Sequence, residues 1–96
     1  MNGAGYVPKV SVVTVVRNGL PLIEHTIESV LAQGYPALEY WIVDGGSTDG
    51  TVELIRRHAP RLAGWTSEPD AGIADAFNKG LARAGGDYIM FLNADD

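Results

Sequence analysis

The sequence contains no cysteine among its 96 residues, so it offers neither a disulfide framework nor a thiolate metal site. No apolar stretch reaches the roughly 20 residues that a membrane-spanning helix needs. The opening residues, MNGAGYVPK, lack the charged start and apolar core of a signal peptide. The net charge of −5 argues against general nucleic-acid binding, which needs a basic surface. These absences fit a cytoplasmic protein, including one bound peripherally at a membrane.

Three common ligand motifs are also missing. GxxxxGK[ST] does not occur, which excludes a P-loop hydrolase, and no GxGxxG follows the first apolar run, which argues against a dinucleotide-dependent dehydrogenase. The stretch DGGSTDG resembles a calcium loop only superficially. Gly46 and Thr48 stand at two of its ligand positions and no glutamate closes it.

What the sequence does contain is a regular alternation of apolar segments with helical periodicity between them. Strands are predicted at residues 10–16, 38–43, 62–66 and 87–92, and helices at 22–31, from about 49 to just before Pro60, and at 73–84. This order predicts a parallel α/β sheet of about four strands, in the order 3-2-1-4, with helices on both faces. Residues 1–9 are interpreted as an N-terminal extension and 10–96 as one Rossmann-like unit.

Polar clusters follow each predicted strand. They comprise Arg17 and Asn18, residues 44–49, residues 68–70 and residues 93–96. The carboxyl ends of parallel strands meet at one edge of a sheet, and ligands bind there at the switch point. Carboxylates at such an edge suit Mg²⁺ or Mn²⁺, shared with a substrate diphosphate. Asp44, above a glycine-rich turn, can accept a hydrogen bond from a base or ribose.

Five stretches carry a family resemblance when they are taken in order: VSVVTVVRNG, SVLAQGYP, YWIVDGGSTDGT, SEPDAGIADAFNKGL and GDYIMFLNADD. Together they resemble the opening half of a family 2 glycosyltransferase of the GT-A fold, from about Pro8 to the last residue. The resemblance implies a nucleotide-diphosphate sugar as donor, commonly a uridine diphosphate sugar. It implies transfer with inversion to a glycan, lipid-linked or protein acceptor, as in polysaccharide biosynthesis.

The resemblance also implies residue roles. Asp44 matches the family's aspartate that contacts the base, and residues 93–95 fall where the family has its Asp-x-Asp motif. Asp95 and Asp96 would then hold the Mg²⁺ or Mn²⁺ ion. The implied donor contacts are Val15, Arg17, Asn18, Asp44, Asp70, Asn93, Ala94 and Asp95.

Three features depart from the family pattern. Asn93 replaces the first aspartate of the motif, which removes one charge from the cation site. Arg17 stands where many relatives carry an aromatic residue that stacks on the base, although arginine can stack as well. The family's catalytic base and acceptor site lie further along the chain, so they are expected beyond residue 96.

Structural roles compete with several of these assignments. Asp44 could instead bond its own turn, Asp70 could belong to a Pro-Asp turn, and Arg17 could lie in solvent. The remaining polar residues receive structural interpretations: Ser47, Thr48 and Asp49 as helix caps, Asp75 and Lys79 as a surface ion pair, and His25 and His58 as surface residues. The third helix is expected to turn Leu81 toward the core.

A hypothesis of another class is a non-catalytic nucleotide-binding module, truncated or degenerate, that is inactive alone or self-associates. The Asn93 departure and the missing acceptor half motivate it. A receiver-like signalling domain is disfavoured, because no lysine follows a later strand.

Overall fold

The computed structural model describes residues 7–69 and 73–93 of the chain. Its elements, in chain order, are β1 (Val10–Val16), α1 (Leu22–Leu31), β2 (Leu38–Asp44), α2 (Thr51–His58), β3 (Gly64–Ser67), α3 (Ile73–Arg83) and β4 (Tyr88–Asn93). A short 3-10 helix, Ala59–Arg61, follows α2 and contains Pro60, which has no N–H to continue the α-helical hydrogen bonds. Every predicted element is present. Within the described ranges, no helix is long and apolar enough to cross a bilayer.

The four strands form one parallel sheet in the order β3-β2-β1-β4, which confirms the predicted topology. The register of strand pairing aligns the carboxyl ends of the strands. Val16 pairs with Asp44, Asp44 pairs with Ser67, and Val15 pairs with Asn93. All four strands therefore end within one residue of one another, and the segments that follow them share one edge of the sheet.

Helices cover both faces of the sheet, as predicted. On one face, α1 and α2 bury Ile23, Ile27 and Ile55 against Val12 and Tyr40. On the other face, α3 packs on a smaller core of Val13, Val15, Val43 and Ala76. The β-branched run of β1 is buried on both sides, which explains why the sequence shows no alternation there.

The packing of α3 differs from its predicted helical face. Leu81 is 51% exposed, so the expectation that it enters the core is wrong. Gly80 faces the sheet instead, and a β-carbon at this position would lie 2.4 Å from Cγ1 of Val13. The absence of a side chain lets α3 approach β1 closely, and the contact rotates Leu81 away from the sheet.

At the opposite edge of the sheet, the Glu39 carboxylate and its hydrogen-bond partners form a polar cluster that links neighbouring strands. Oε1 of Glu39 accepts hydrogen bonds from the Ser11 hydroxyl at 2.7 Å and the Gly85 N–H at 2.9 Å. The Lys9 ammonium lies 3.2 Å from Oε2. Burial alone would raise the pKa of Glu39, but these hydrogen bonds outweigh it and lower the pKa to about 2. The cluster stabilises the fold far from the polar edge.

His58 is buried, so its interpretation as a surface residue is wrong, whereas His25 is exposed as predicted. Nδ1 of His58 lies 3.0 Å from the Leu54 carbonyl oxygen, and Nε2 lies 3.0 Å from Oε2 of Glu28. A carbonyl and a carboxylate only accept hydrogen bonds, so both ring nitrogens must carry protons to satisfy both contacts. The Leu54 bond and Glu28 accordingly raise the pKa of His58. The His58 ring thus joins α1 to α2.

Candidate functional site

The predicted polar residues that the structure describes lie along the carboxyl edge of the sheet. Asp44 ends β2, Arg17 and Asn18 follow β1 and are exposed, and the backbone of Asn93 ends β4. Asp44 and Asn93 flank β1 on opposite sides, so their backbones are about 10 Å apart, two strand spacings. This spacing leaves a candidate cleft above β1, at the switch point. Four predicted site residues lie outside the described residues: Asp70, Ala94, Asp95 and Asp96.

Asp44 is fully enclosed, with 0% of its surface exposed. Its Oδ2 accepts hydrogen bonds from the N–H groups of Gly46 at 3.0 Å and Ser47 at 2.9 Å, and from the Ser67 hydroxyl at 2.8 Å. The Ser47 hydroxyl donates to Oδ1 at 2.5 Å. The carboxylate therefore does bond its own turn, one of its two predicted roles. Its contact with a base stays a prediction.

The turn after Asp44 depends on Gly46. This residue has a φ of 91°, in the left-handed region that side chains disfavour. A β-carbon there would lie 3.3 Å from the backbone nitrogen of Pro69. The glycine thus lets the loop turn back on Asp44 while the segment after β3 closes over it. The N–H of Glu68, which donates to the Asp44 carbonyl at 3.0 Å, holds that segment in place.

Hydrogen bonds join the loop after β1 to the loop after β2. The Asn18 N–H donates to Oγ of Ser47 at 2.7 Å, and the Thr48 N–H donates to Oδ1 of Asn18 at 2.8 Å. Further along, the Gly19 N–H donates to Oγ1 of Thr51 at 3.1 Å. Asn18 was predicted to contact the nucleotide-sugar donor. Its side-chain oxygen here orders the neighbouring loop.

The capping interpretation of this loop is wrong for Ser47 and Thr48. The N-cap of α2 is Gly50, which has no side chain to cap it. Asp49 lies one position earlier, and its Oδ1 accepts from the Thr51 N–H at 3.0 Å and the Thr51 hydroxyl at 2.5 Å. The Thr51 hydroxyl lowers the pKa of Asp49. Asp49 thus orders the start of α2 from outside the cap position.

Two contacts at this edge were not predicted: that of Ser67 with Asp44, and those of Lys79 beyond its pair with Asp75. The predicted Asp75–Lys79 ion pair is present at 3.5 Å, but Nζ of Lys79 lies closer to Glu68, at 3.0 Å. Glu68 raises the pKa of Lys79, and Nζ also donates to the Pro69 carbonyl at 3.4 Å. Lys79 therefore fastens the segment after β3 to α3. Both residues lie far along the chain from Asp44, and no local pattern marks them.

Comparison with known proteins agrees with this architecture. A sequence model of glycosyl transferase family 2 matches residues 11–96. An uncharacterised glycosyltransferase of Mycobacterium tuberculosis is 43% identical over 90 residues, which make up 93% of this chain and 34% of the relative. The chain thus spans about a third of the length of this relative.

Two solved structures show the same fold. A mannosyltransferase from Pyrobaculum calidifontis, in complex with GDP-mannose and Mn²⁺, has a TM-score of 0.85 and 38% identity over 94% of this chain and 28% of its own. S. aureus TarS with UDP-GlcNAc has a TM-score of 0.80 and 25% identity over 91% of this chain and 26% of its own. This chain belongs to glycosyl transferase family 2 and has the Rossmann-like architecture of the GT-A fold.

Proposed function

We propose that this chain forms the donor-binding half of a glycosyltransferase, which binds a nucleotide-diphosphate sugar for inverting transfer to an acceptor. The observation that carries the proposal is the meeting of three strand-end segments around Asp44, beside the switch point of the sheet. Two proteins with the same fold bind sugar nucleotides: a mannosyltransferase binds GDP-mannose, and TarS binds UDP-GlcNAc. In this proposal residues 10–96 are the donor-binding unit and residues 1–9 extend it.

The nucleoside and the diphosphate would occupy different parts of the cleft. Arg17, Asn18 and Asp44 form the nucleoside side, with uridine diphosphate as the nucleotide. Val15, whose side chain is buried in the core under α3, would contribute only backbone atoms. The exposed guanidinium of Arg17 can stack on the base or bind phosphate. Asp70, which lies outside the described residues, is assigned to the same side by the family resemblance. Residues 93–95 form the diphosphate side, at the end of β4.

Asp95 and Asp96 would hold Mg²⁺ or Mn²⁺. Their oxygen ligands fit a hard divalent cation. In the part of the chain that the structure describes, no group of three or more acidic, histidine or cysteine side chains could hold a metal ion. A bound cation would neutralise charge on the diphosphate. The neutral Asn93 leaves this site with one charge fewer than an Asp-x-Asp motif.

Transfer with inversion also needs a base that deprotonates the acceptor hydroxyl. None of the proposed donor-site residues takes this role. The proposed acceptor is a glycan, a lipid-linked molecule or a protein. A second candidate is a module that binds the nucleotide without transferring sugar and self-associates. The exposed apolar side chains of Tyr88 and Met90 on β4 favour it.

Calorimetric titration tests the proposal. The chain is titrated with uridine, guanosine and thymidine diphosphates, each with and without Mn²⁺. We expect binding of uridine diphosphate that strengthens with Mn²⁺, and we expect Asp95→Asn to remove the effect of the metal. Glu53→Gln, at an exposed position on α2, is the matched control for loss of one acidic charge. A folded chain that binds none of the three nucleotides would overturn the proposed function.

A further inference from the structure

The enclosure of Asp44 raises a question of access. A ligand cannot reach a carboxylate that is 0% exposed unless a neighbouring group moves. Among the described residues, Oδ2 already accepts three hydrogen bonds, from Gly46, Ser47 and Ser67. A further donor can therefore bind this oxygen only in exchange for one already there.

The three donors differ in how easily they can leave. The N–H groups of Gly46 and Ser47 belong to the turn itself, two and three residues from Asp44, and cannot withdraw unless the turn unfolds. The Ser67 hydroxyl comes from 23 residues away, on an exposed residue at the end of β3. Rotation about the Ser67 side-chain bond removes this donor alone.

The backbone around Ser67 does not depend on that hydroxyl. Ser67 pairs with Asp44 in the sheet register, and the Glu68 N–H donates to the Asp44 carbonyl at 3.0 Å. Lys79 holds the following segment through Glu68 and Pro69. The end of β3 therefore remains in place when the hydroxyl turns away.

We propose that the Ser67 hydroxyl is an internal substitute for the ligand: in the free protein it occupies the acceptor position of Asp44 that an N–H donor of the nucleoside base takes on binding. This inference rests on the proposed function, in which Asp44 contacts the base. Binding exchanges one hydrogen bond to Oδ2 for another. Ser67 thus sets the affinity for the nucleotide without contacting it in the bound state.

Removal of the substitute tests the proposal. In Ser67→Ala the carboxylate lacks one donor in the free state, and the ligand restores it. We expect uridine diphosphate with Mn²⁺ to bind Ser67→Ala about 2- to 10-fold more tightly than the unchanged chain, the range that one net hydrogen bond spans. Ser67→Thr keeps the hydroxyl and should bind like the unchanged chain. Equal or weaker binding by Ser67→Ala, while the unchanged chain binds, would overturn the inference and leave the proposed function intact.

A measurement without nucleotide tests the same exchange separately. A water-soluble carbodiimide couples an amine to accessible carboxylates, and mass spectrometry locates the modified residue. We expect Asp44 to be protected in the unchanged chain and in Ser67→Thr, and modified in Ser67→Ala. Equal modification in all three would contradict the role of Ser67. Clear exposure of Asp44 in Ser67→Ala, together with no nucleotide binding by any chain, would overturn the proposed function and, with it, the exchange for a base.

Discussion

The side-chain oxygen of Asn18 accepts a hydrogen bond from the Thr48 N–H at 2.8 Å, across 30 residues of sequence. Asn18 has a φ of 52°, in the left-handed region that asparagine and glycine tolerate better than other residues. The same residue donates its own N–H to Ser47. The loops after β1 and β2 therefore form one hydrogen-bonded unit, which Asn18 holds together.

Asn18→Ala should destabilise this unit. Alanine loses the hydrogen bond and adopts a left-handed φ at a cost of roughly 1–2 kcal/mol, so the free energy of unfolding should fall by about 2 kcal/mol. Asn18→Gly keeps the backbone freedom and should lose only about 1 kcal/mol. Urea unfolding of both variants measures the difference. Equal stability of the two would show that the conformation of the backbone at this position is not strained.

Asp44 should matter for folding as well as for binding. Asp44→Ala leaves four hydrogen-bond donors without their acceptor, three of them on Oδ2. We expect a loss of about 3 kcal/mol or more. Asp44→Asn keeps one acceptor oxygen and should lose about 1–2 kcal/mol. Urea unfolding gives the order of the two variants, and an Asp44→Ala chain as stable as the unchanged one would contradict the geometry.

Glu39 should make the fold sensitive to acid. Its pKa is about 2 in the folded chain against an ordinary value of 4.5, so the unfolded chain binds the proton more tightly. The stabilisation is therefore complete above pH 4.5 and is lost as the pH falls toward 2, with a size of about 3 kcal/mol. The Glu39 side chain is 15% exposed but its partner Lys9 is 49% exposed, so solvent screens the ion pair and about 3 kcal/mol is an upper bound.

The variant that tests this is Glu39→Gln, compared with Glu53→Gln at an exposed position. We expect Glu39→Gln to be less stable than the unchanged chain at pH 7, with a gap that narrows steadily below pH 4.5. Urea unfolding at several pH values measures that gap. A gap independent of pH would show that the carboxylate charge contributes nothing.

His58 should give the opposite pH dependence. Its pKa is raised in the folded chain, so its contribution is fully present below the ordinary value of 6.5 and is lost as the pH rises through the raised pKa. Glu28 is about half exposed, and Arg61, 3.8 Å from its Oε1, competes for it, so solvent screening should keep this contribution small.

The test compares His58→Gln with His25→Gln, an exposed histidine on α1. His58→Gln should be destabilised more at pH 6 than at pH 9, whereas His25→Gln should show little difference from the unchanged chain. Identical pH profiles for the unchanged chain and His58→Gln would rule out the imidazolium. An NMR titration of the His58 ring gives the same answer directly.

The outer side of β4 should mediate self-association. Within the described residues no strand pairs with that side, and Tyr88 and Met90 are 64% and 53% exposed. An open strand edge with exposed apolar side chains favours pairing with another chain. We expect sedimentation at increasing concentration to show dimers or larger species, and Met90→Lys to reduce them. Leu81→Lys changes a side chain of matched exposure, 51%, on α3 and should not. A monomer at every concentration would contradict the prediction.

Much of the fold could be predicted because its signals are local. The run from Val10 to Val16 is apolar on both faces, as strands covered on both sides are, and the turn residues after Asp44 mark the end of β2. Alternation of strands and helices then restricts the sheet order through the handedness of crossovers. The edge at which the polar residues meet follows from that topology alone.

The arrangement within the site could not be predicted in the same way. Helical periodicity predicted that Leu81 enters the core. The close contact between Gly80 and Val13 instead directs Gly80 toward the sheet and leaves Leu81 exposed. His58 was predicted as a surface residue. The packing of α1 against α2 encloses its ring and places Glu28 beside Nε2. Both outcomes depend on contacts between elements that are distant in sequence.

The sequence by itself determined the order of elements, the parallel sheet and the edge that carries the polar residues, because periodicity and turn chemistry act over a few neighbouring residues. Only the tertiary structure decided that Asp44 is enclosed, that Asn18 joins two loops, and that Ser67 covers the carboxylate. The contacts of Asn18 and Ser67 are hydrogen bonds between segments 30 and 23 residues apart. Such bonds form only once the sheet has brought the strand ends together.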